Sequence, residues 1–132
     1  MKYHDFIGQV QHRAKLSSEG EAVRATRATL STLGERLGGG EAADVAAQLP
    51  EEIAIFLKPE IDEADRFDVN EFFGRVERRE QVDRPDAVFH SRCVIDVLSD
   101  AVSGGEFDDI RSQLPEDYRP LLDTGSTGRM DT

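Results

Sequence analysis

Several things are scarce in this sequence, and each scarcity excludes something. Cysteine occurs once, as Cys93. One thiol can close no disulfide within the chain and build no thiolate metal site, which fits a reducing cytoplasm. No apolar run approaches the roughly 18 residues that a membrane-spanning helix needs. The opening Met1-Lys2-Tyr3-His4-Asp5 has no apolar stretch or small-residue cleavage site behind it, so a signal peptide is not expected. Positive charge is also short: 16 basic residues stand against 27 acidic ones, a net charge of −11. Binding to a nucleic-acid backbone needs clustered Lys and Arg and is not expected. Lys2, Lys15 and Lys58 are the only lysines, against 13 arginines. Excess acid with so little lysine reads as a surface adapted to high salt, where the negative charge keeps a protein soluble and its self-repulsion is screened. The alternative is an ordinary acidic cytosolic protein.

What the chain does have is a repeat. Gly39-Gly40-Glu41 running to Gln48-Leu49-Pro50-Glu51 returns as Gly104-Gly105-Glu106 running to Gln113-Leu114-Pro115-Glu116, at a separation of 65 residues throughout. Asp44 returns as Asp109, while Phe6, Ile7 and Val10 return as Phe72, Phe73 and Val76 at a separation of 66. The one-residue shift falls between Val82 and Val88, in a turn, where a length change is cheap; inside a helix it would rotate a face by about 100°. The expected organisation is a first helical repeat over 1–57, an acidic linker over 58–67, a second repeat over 68–122 and a disordered tail over 123–132.

Hydrophobic spacing predicts eight helices. Tyr3, Phe6, Ile7, Val10 and Ala14 share one face. Ser17 or Ser18 starts the second helix, Ser18 with Glu21 forming a capping box, and Ala22, Thr26, Leu30, Leu33 and Leu37 point inward until Gly38-Gly39-Gly40 stops it. Ala42, Val45, Ala46 and Leu49 stripe the third. Pro50 opens the fourth at its first position, where a missing N–H costs nothing, with Ile53, Phe56 and Leu57 inward. Asp68 with Glu71 caps the fifth, and Asp83 the sixth, with Val82 and Ala87 as a hydrophobic staple. Val88, Val94, Ile95, Leu98 and Val102 face inward there. Phe107, Ile110 and Leu114 line the seventh helix; Tyr118, Leu121 and Leu122 line the eighth, which Pro120 keeps short. The fold class is all-α: two tandem four-helix units packed as one pseudo-two-fold bundle, since a unit of this length cannot bury its apolar faces alone.

The opening Tyr-x-x-Phe-Ile, answered by Val69-x-x-Phe72-Phe73, and the Gly-Gly-Glu turn and Gln-Leu-Pro-Glu stretch in two copies each resemble the domain-of-unknown-function family two-two-six-seven over about residues 3–122. The second copy departs from the first with Asp117-Tyr118 in place of Glu52-Ile53. The resemblance implies an all-helical, internally duplicated, soluble microbial protein. It carries no catalytic residue over to this chain.

Residues with chemistry to offer read mostly as structure. His4, His12 and His90 have no H-x-x-x-H or H-E-x-x-H spacing and read as surface histidines. Asp62, Glu63, Asp65 and Asp68 lack the Gly and the terminal Glu of a calcium loop and read as a solvated linker. Cys93 reads as a buried inert thiol. Gly38-Gly39-Gly40 precedes a helix as an anion cradle would, but Glu41 occupies the anion's place and no strand comes before it. Arg27 and Arg92 match each other, each 17 residues ahead of a matching acid, Asp44 or Asp109. They read as structural ion pairs fixing the second helix against the third. No catalytic, cofactor-binding or metal-ligating residue is assigned, and no cofactor is expected. The function expected is a cytoplasmic, non-enzymatic interaction or scaffold protein, with a stress-related role among its options, acting on a protein partner or on itself. A small-molecule or metal-ion binder using the groove between the repeats is the alternative, and an enzyme the weakest reading.

Overall fold

A computed structural model describes residues 1–123, so the expected tail lies outside the described residues except for Asp123. The described chain is all-helical: α1 (Tyr3–Arg13), α2 (Glu19–Leu37), α3 (Gly39–Ala46), α4 (Glu51–Ala54) running on as a 3-10 turn (Ile55–Leu57), α5 (Val69–Glu80), α6 (Arg84–Ala101), α7 (Gly104–Gln113), and a 3-10 turn (Glu116–Tyr118) leading into α8 (Arg119–Leu122).

Side-chain caps set the helix starts. Ser18 Oγ accepts the Glu21 N–H at 3.2 Å, Asp68 the Glu71 N–H at 2.9 Å, Asp83 the Asp86 N–H at 3.2 Å and Ser103 the Glu106 N–H at 3.1 Å. Each satisfies an amide that the first helical turn leaves without a partner. Gly38 ends α2 with φ +83°, and a Cβ there would lie 2.8 Å from the Ala64 nitrogen, so both conformation and space demand glycine. Pro50 sits one place earlier than expected, as the N-cap of α4 in extended conformation, and the helix it opens tightens into a 3-10 turn after four residues.

The long helices α2 and α6 pack against each other. α1 lies on both of them, and so does α5. The first helix of each half is thus shared with the second helix of the other. The Ile55–Leu57 turn covers α2, and α8 covers α6. Buried side chains of both halves form one continuous cluster that runs from Phe6, Val10, Leu30 and Leu33 to Phe72, Val76, Ile95 and Leu98. Leu33, Leu49, Leu98 and Leu114 are all buried, as their equal spacing predicts. The departure at Tyr118 is accommodated in place. Both it and Ile53 are fully buried, and the Tyr118 hydroxyl donates to the Phe67 carbonyl at 2.8 Å.

Segment 58–67 keeps its carboxylates exposed, but its backbone is tied down. The Gly39 N–H donates to the Asp62 carbonyl at 2.7 Å, and the Asp65 N–H to that of Glu35 at 2.9 Å. Arg36 Nε donates to the Phe67 carbonyl at 2.8 Å.

Two glycines make a matched test of this packing. A Cβ on Gly34 would sit 2.5 Å from the Leu57 carbonyl oxygen, whereas one on Gly8 meets nothing within 4 Å. Gly8→Ala should stabilise the protein by about 0.5–1 kcal/mol, the usual helix-interior gain, and Gly34→Ala should destabilise it by about 1–3 kcal/mol. Urea unfolding of the two variants measures both. Equal effects of one sign would show that α2 and the Leu57 turn do not approach as described.

Candidate functional site

The repeated Gly-Gly-Glu turns meet. α3 and α7 touch at the junction of the two halves, and each begins with its glycines and carries its glutamate in the first turn. Glu41, Glu106 and Asp109 each place one carboxylate oxygen within 4.8 Å of the others. Glu106 is only 8% exposed, Glu41 is half-buried and Asp109 is exposed, so the group is deep on one side and open on the other. Glu41 Oε1 and Glu106 Oε2 are buried without a hydrogen-bond partner. Gln48 lies alongside: its Nε2 donates to Glu106 Oε1 at 3.5 Å and its Oε1 accepts the Ser103 N–H at 2.7 Å. Burial, then the neighbouring Glu106, then Asp109 and Asp44, push the Glu41 carboxyl above its ordinary range. None of the three acids joins an ion pair among the described residues.

The family described as "Uncharacterized conserved protein (DUF2267)" matches residues 3–121. The chain belongs to this family. That agrees with the resemblance read from the repeated motifs, and the family's description names no activity. No curated protein matches the chain.

Arg27 and Arg92 are not placed as the repeat spacing of the chain suggested. Arg27 is exposed with its guanidinium 6.0 Å from the centre of the Phe56 ring, and no ion pair joins it to Asp44. Arg92, half-buried on α6, forms no ion pair with Asp109, which turns toward Glu41 and Glu106. Other arginines form pairs that run between the halves. Arg13 bonds Asp96 at 2.6 Å and Asp100 at 2.8 Å, tying α1 to α6, and Arg79 bonds Glu35 at 2.8 Å, tying α5 to α2. Arg13 and Arg79 stand 66 residues apart and Glu35 and Asp100 stand 65 apart, so the signal was in the sequence, blurred by a Glu-to-Asp change. Arg75 extends the second set, bonding Glu71, Asp65 and Glu35 with its guanidinium 3.9 Å from the centre of the Phe67 ring.

His4 and His12 are exposed as expected, but His90 is not a surface histidine. It is buried on α6 and its Nδ1 shares a short hydrogen bond with Oε2 of Glu80, itself buried at the end of α5. Glu80 Oε1 has no hydrogen-bond partner. At the same repeat spacings the first half carries Ala14 and Ala25, both buried, so one half holds a polar pair where the other holds two alanines. Cys93 is buried as expected, and burial pushes its thiol up to about 11, which keeps it protonated and unreactive.

The Glu80 hydrogen bond, helped by the charges of Asp86 and Glu21 and opposed by burial, raises the His90 pKa. A raised histidine pKa contributes stability that is complete below the unfolded value, about 6.5, and is lost as pH rises through the folded value. Wild type should therefore lose stability as pH rises above about 6.5 relative to the double variant Glu80→Ala/His90→Ala, which copies the first half. His90→Ala alone, leaving Glu80 buried and unpaired, should cost about 3–5 kcal/mol. Urea unfolding at several pH values checks this, and parallel stability curves for wild type and the double variant would contradict it.

Proposed function

We propose that the chain is a non-enzymatic acidic helical platform of the cytoplasm that acts by binding a protein partner or a second copy of itself. In this reading it is built of two tandem four-helix units, 1–57 and 68–122, about a pseudo-two-fold axis. Two observations support that architecture. Exchanging α1 with α5 and α2 with α6 leaves the main helix contacts unchanged, and the ion pairs Arg13–Asp100 and Arg79–Glu35 exchange with them.

The observation that carries the functional reading is the filled core. Buried side chains of both halves form one cluster, which leaves the core itself no room for a small molecule; a cavity of about 490 Å³ lies outside it, between Ser31, Glu35 and Arg79 and the linker residues Lys58 to Asp65. What the molecule offers instead is surface. Ile55 and Ile61 are 60% and 71% exposed on either side of Lys58-Pro59. Next to them a shallow groove is lined by Ala42, Ala43, Ala46, Ala47 and Ala54. Large aliphatics beside an apolar groove on a charged surface suit a protein contact. The negative charge around them favours a partner with a basic face.

Light scattering and pulldown from the native host, each at low and at molar KCl, test this. Wild type should self-associate or retain a partner, and Ile55→Asp/Ile61→Asp should weaken that association at least about tenfold, the loss expected from about 1.4 kcal/mol of contact. A protein that stays monomeric and retains the same species with or without the substitutions would contradict the proposal.

A further inference from the structure

The geometry points to a site for a hard divalent cation, Ca2+ or Mg2+, where α3 meets α7, with Glu41, Glu106 and Asp109 as its ligands. This inference is independent of the platform reading. It begins from an uncompensated charge. Three carboxylates converge to within 4.8 Å, Glu106 being only 8% exposed, and no ion pair relieves any of them among the described residues. Buried charge is tolerated only when paired and hydrogen-bonded. Here one oxygen of Glu41 and one of Glu106 are buried and accept nothing. Among the described residues, the hydrogen bond to the Glu106 carboxylate comes from Gln48 Nε2, at the long distance of 3.5 Å. The first-turn amide of Glu106 is already given to Ser103 Oγ at 3.1 Å. The helix N-termini favour negative charge in their first turns, but they leave the two buried oxygens without a partner among the described residues.

A cation supplies what is missing. Oxygens held at about 2.4 Å from one Ca2+ lie at most about 4.8 Å apart, so the three ligand atoms fit around a single ion of that size. The donor set is all oxygen, which selects Ca2+ or Mg2+ over metals that prefer nitrogen or sulfur. Exposed Asp109 gives an entry path, and the open side leaves room for the waters that both ions retain. Glu41 belongs to the first half and Glu106 and Asp109 to the second, so a bound ion bridges the halves and its binding is read as stability. Because Glu41 and Glu106 hold the same position in the two repeats, the duplication itself has brought two ligands together.

The test is thermal melting of chelator-treated protein in a constant KCl background, titrated with CaCl2 and separately with MgCl2. Wild type should show a saturable rise in Tm, roughly 5–10 °C when the ion is about a hundredfold above its Kd. Asp109→Asn and Glu41→Gln should abolish the rise while raising the ion-free Tm, since each removes one of three repelling charges. Asp62→Asn, an exposed acid outside the site, should leave the rise intact. An equal rise in wild type and both site variants would mean general charge screening and would overturn the assignment. So would the absence of any rise with either ion, which would leave a shared proton between Glu41 and Glu106 as what neutralises the site.

Discussion

The packing of α1 and α5 across the α2–α6 pair is the constraint on which the rest depends. Each first helix lies against the second helix of its own half and against that of the other, so neither half covers its own apolar faces. Burial of side chains such as Phe6, Leu33, Phe72 and Leu98 supplies the driving force, at about 1.5–3 kcal/mol for each side chain taken fully out of water. The ion pairs Arg13–Asp100 and Arg79–Glu35 lie over these crossings. Being partly exposed, they contribute about 0–1 kcal/mol each, so they orient the crossing helices more than they hold them. Segment 58–67 completes the closure by bonding back to Glu35 and Gly39.

The polar chemistry of the molecule concentrates where the repeat meets itself or departs from itself. Glu41 and Glu106 are copies of one position made neighbours by assembly. Glu80 and His90 stand in one half where the other holds two buried alanines. A buried ionic pair gives little net stability over an apolar one, so the difference alters how stability responds to pH more than how large it is. Ile55, Ile61 and the alanine groove lie outside the core, at the surface.

Much of the fold was legible because its determinants are local. Ser18 and Asp68 announced their helices through glutamates three positions on, Asp83 through the staple residues Val82 and Ala87, and Leu33, Leu49, Leu98 and Leu114 announced the core through period and repeat together. Pro50 was one place off because a proline suits both the N-cap and the position after it, and only the backbone decides. The partners of Arg27 and Arg92 were assigned within each half, at a constant 17-residue offset, whereas Arg13 and Arg79 bond acids of the other half; their own repeat spacing was present but marked by a Glu in one copy and an Asp in the other. The burial of His90 and Glu80 was illegible for a related reason. A glutamate at a helix end reads as solvated, and only the packing of α5 on α6 removes it from water. The acidic junction was visible as two matching glutamates, each just after a Gly-Gly pair; that the two turns touch is a fact of tertiary structure.

Native-state hydrogen exchange across a range of denaturant concentrations tests the shared core most directly. The slowest amides of α1, α2, α5 and α6 should converge on one opening free energy and one denaturant dependence, that of global unfolding. Two separate isotherms, with α1 and α2 opening at a different free energy from α5 and α6, would contradict it and show that each half holds its own core.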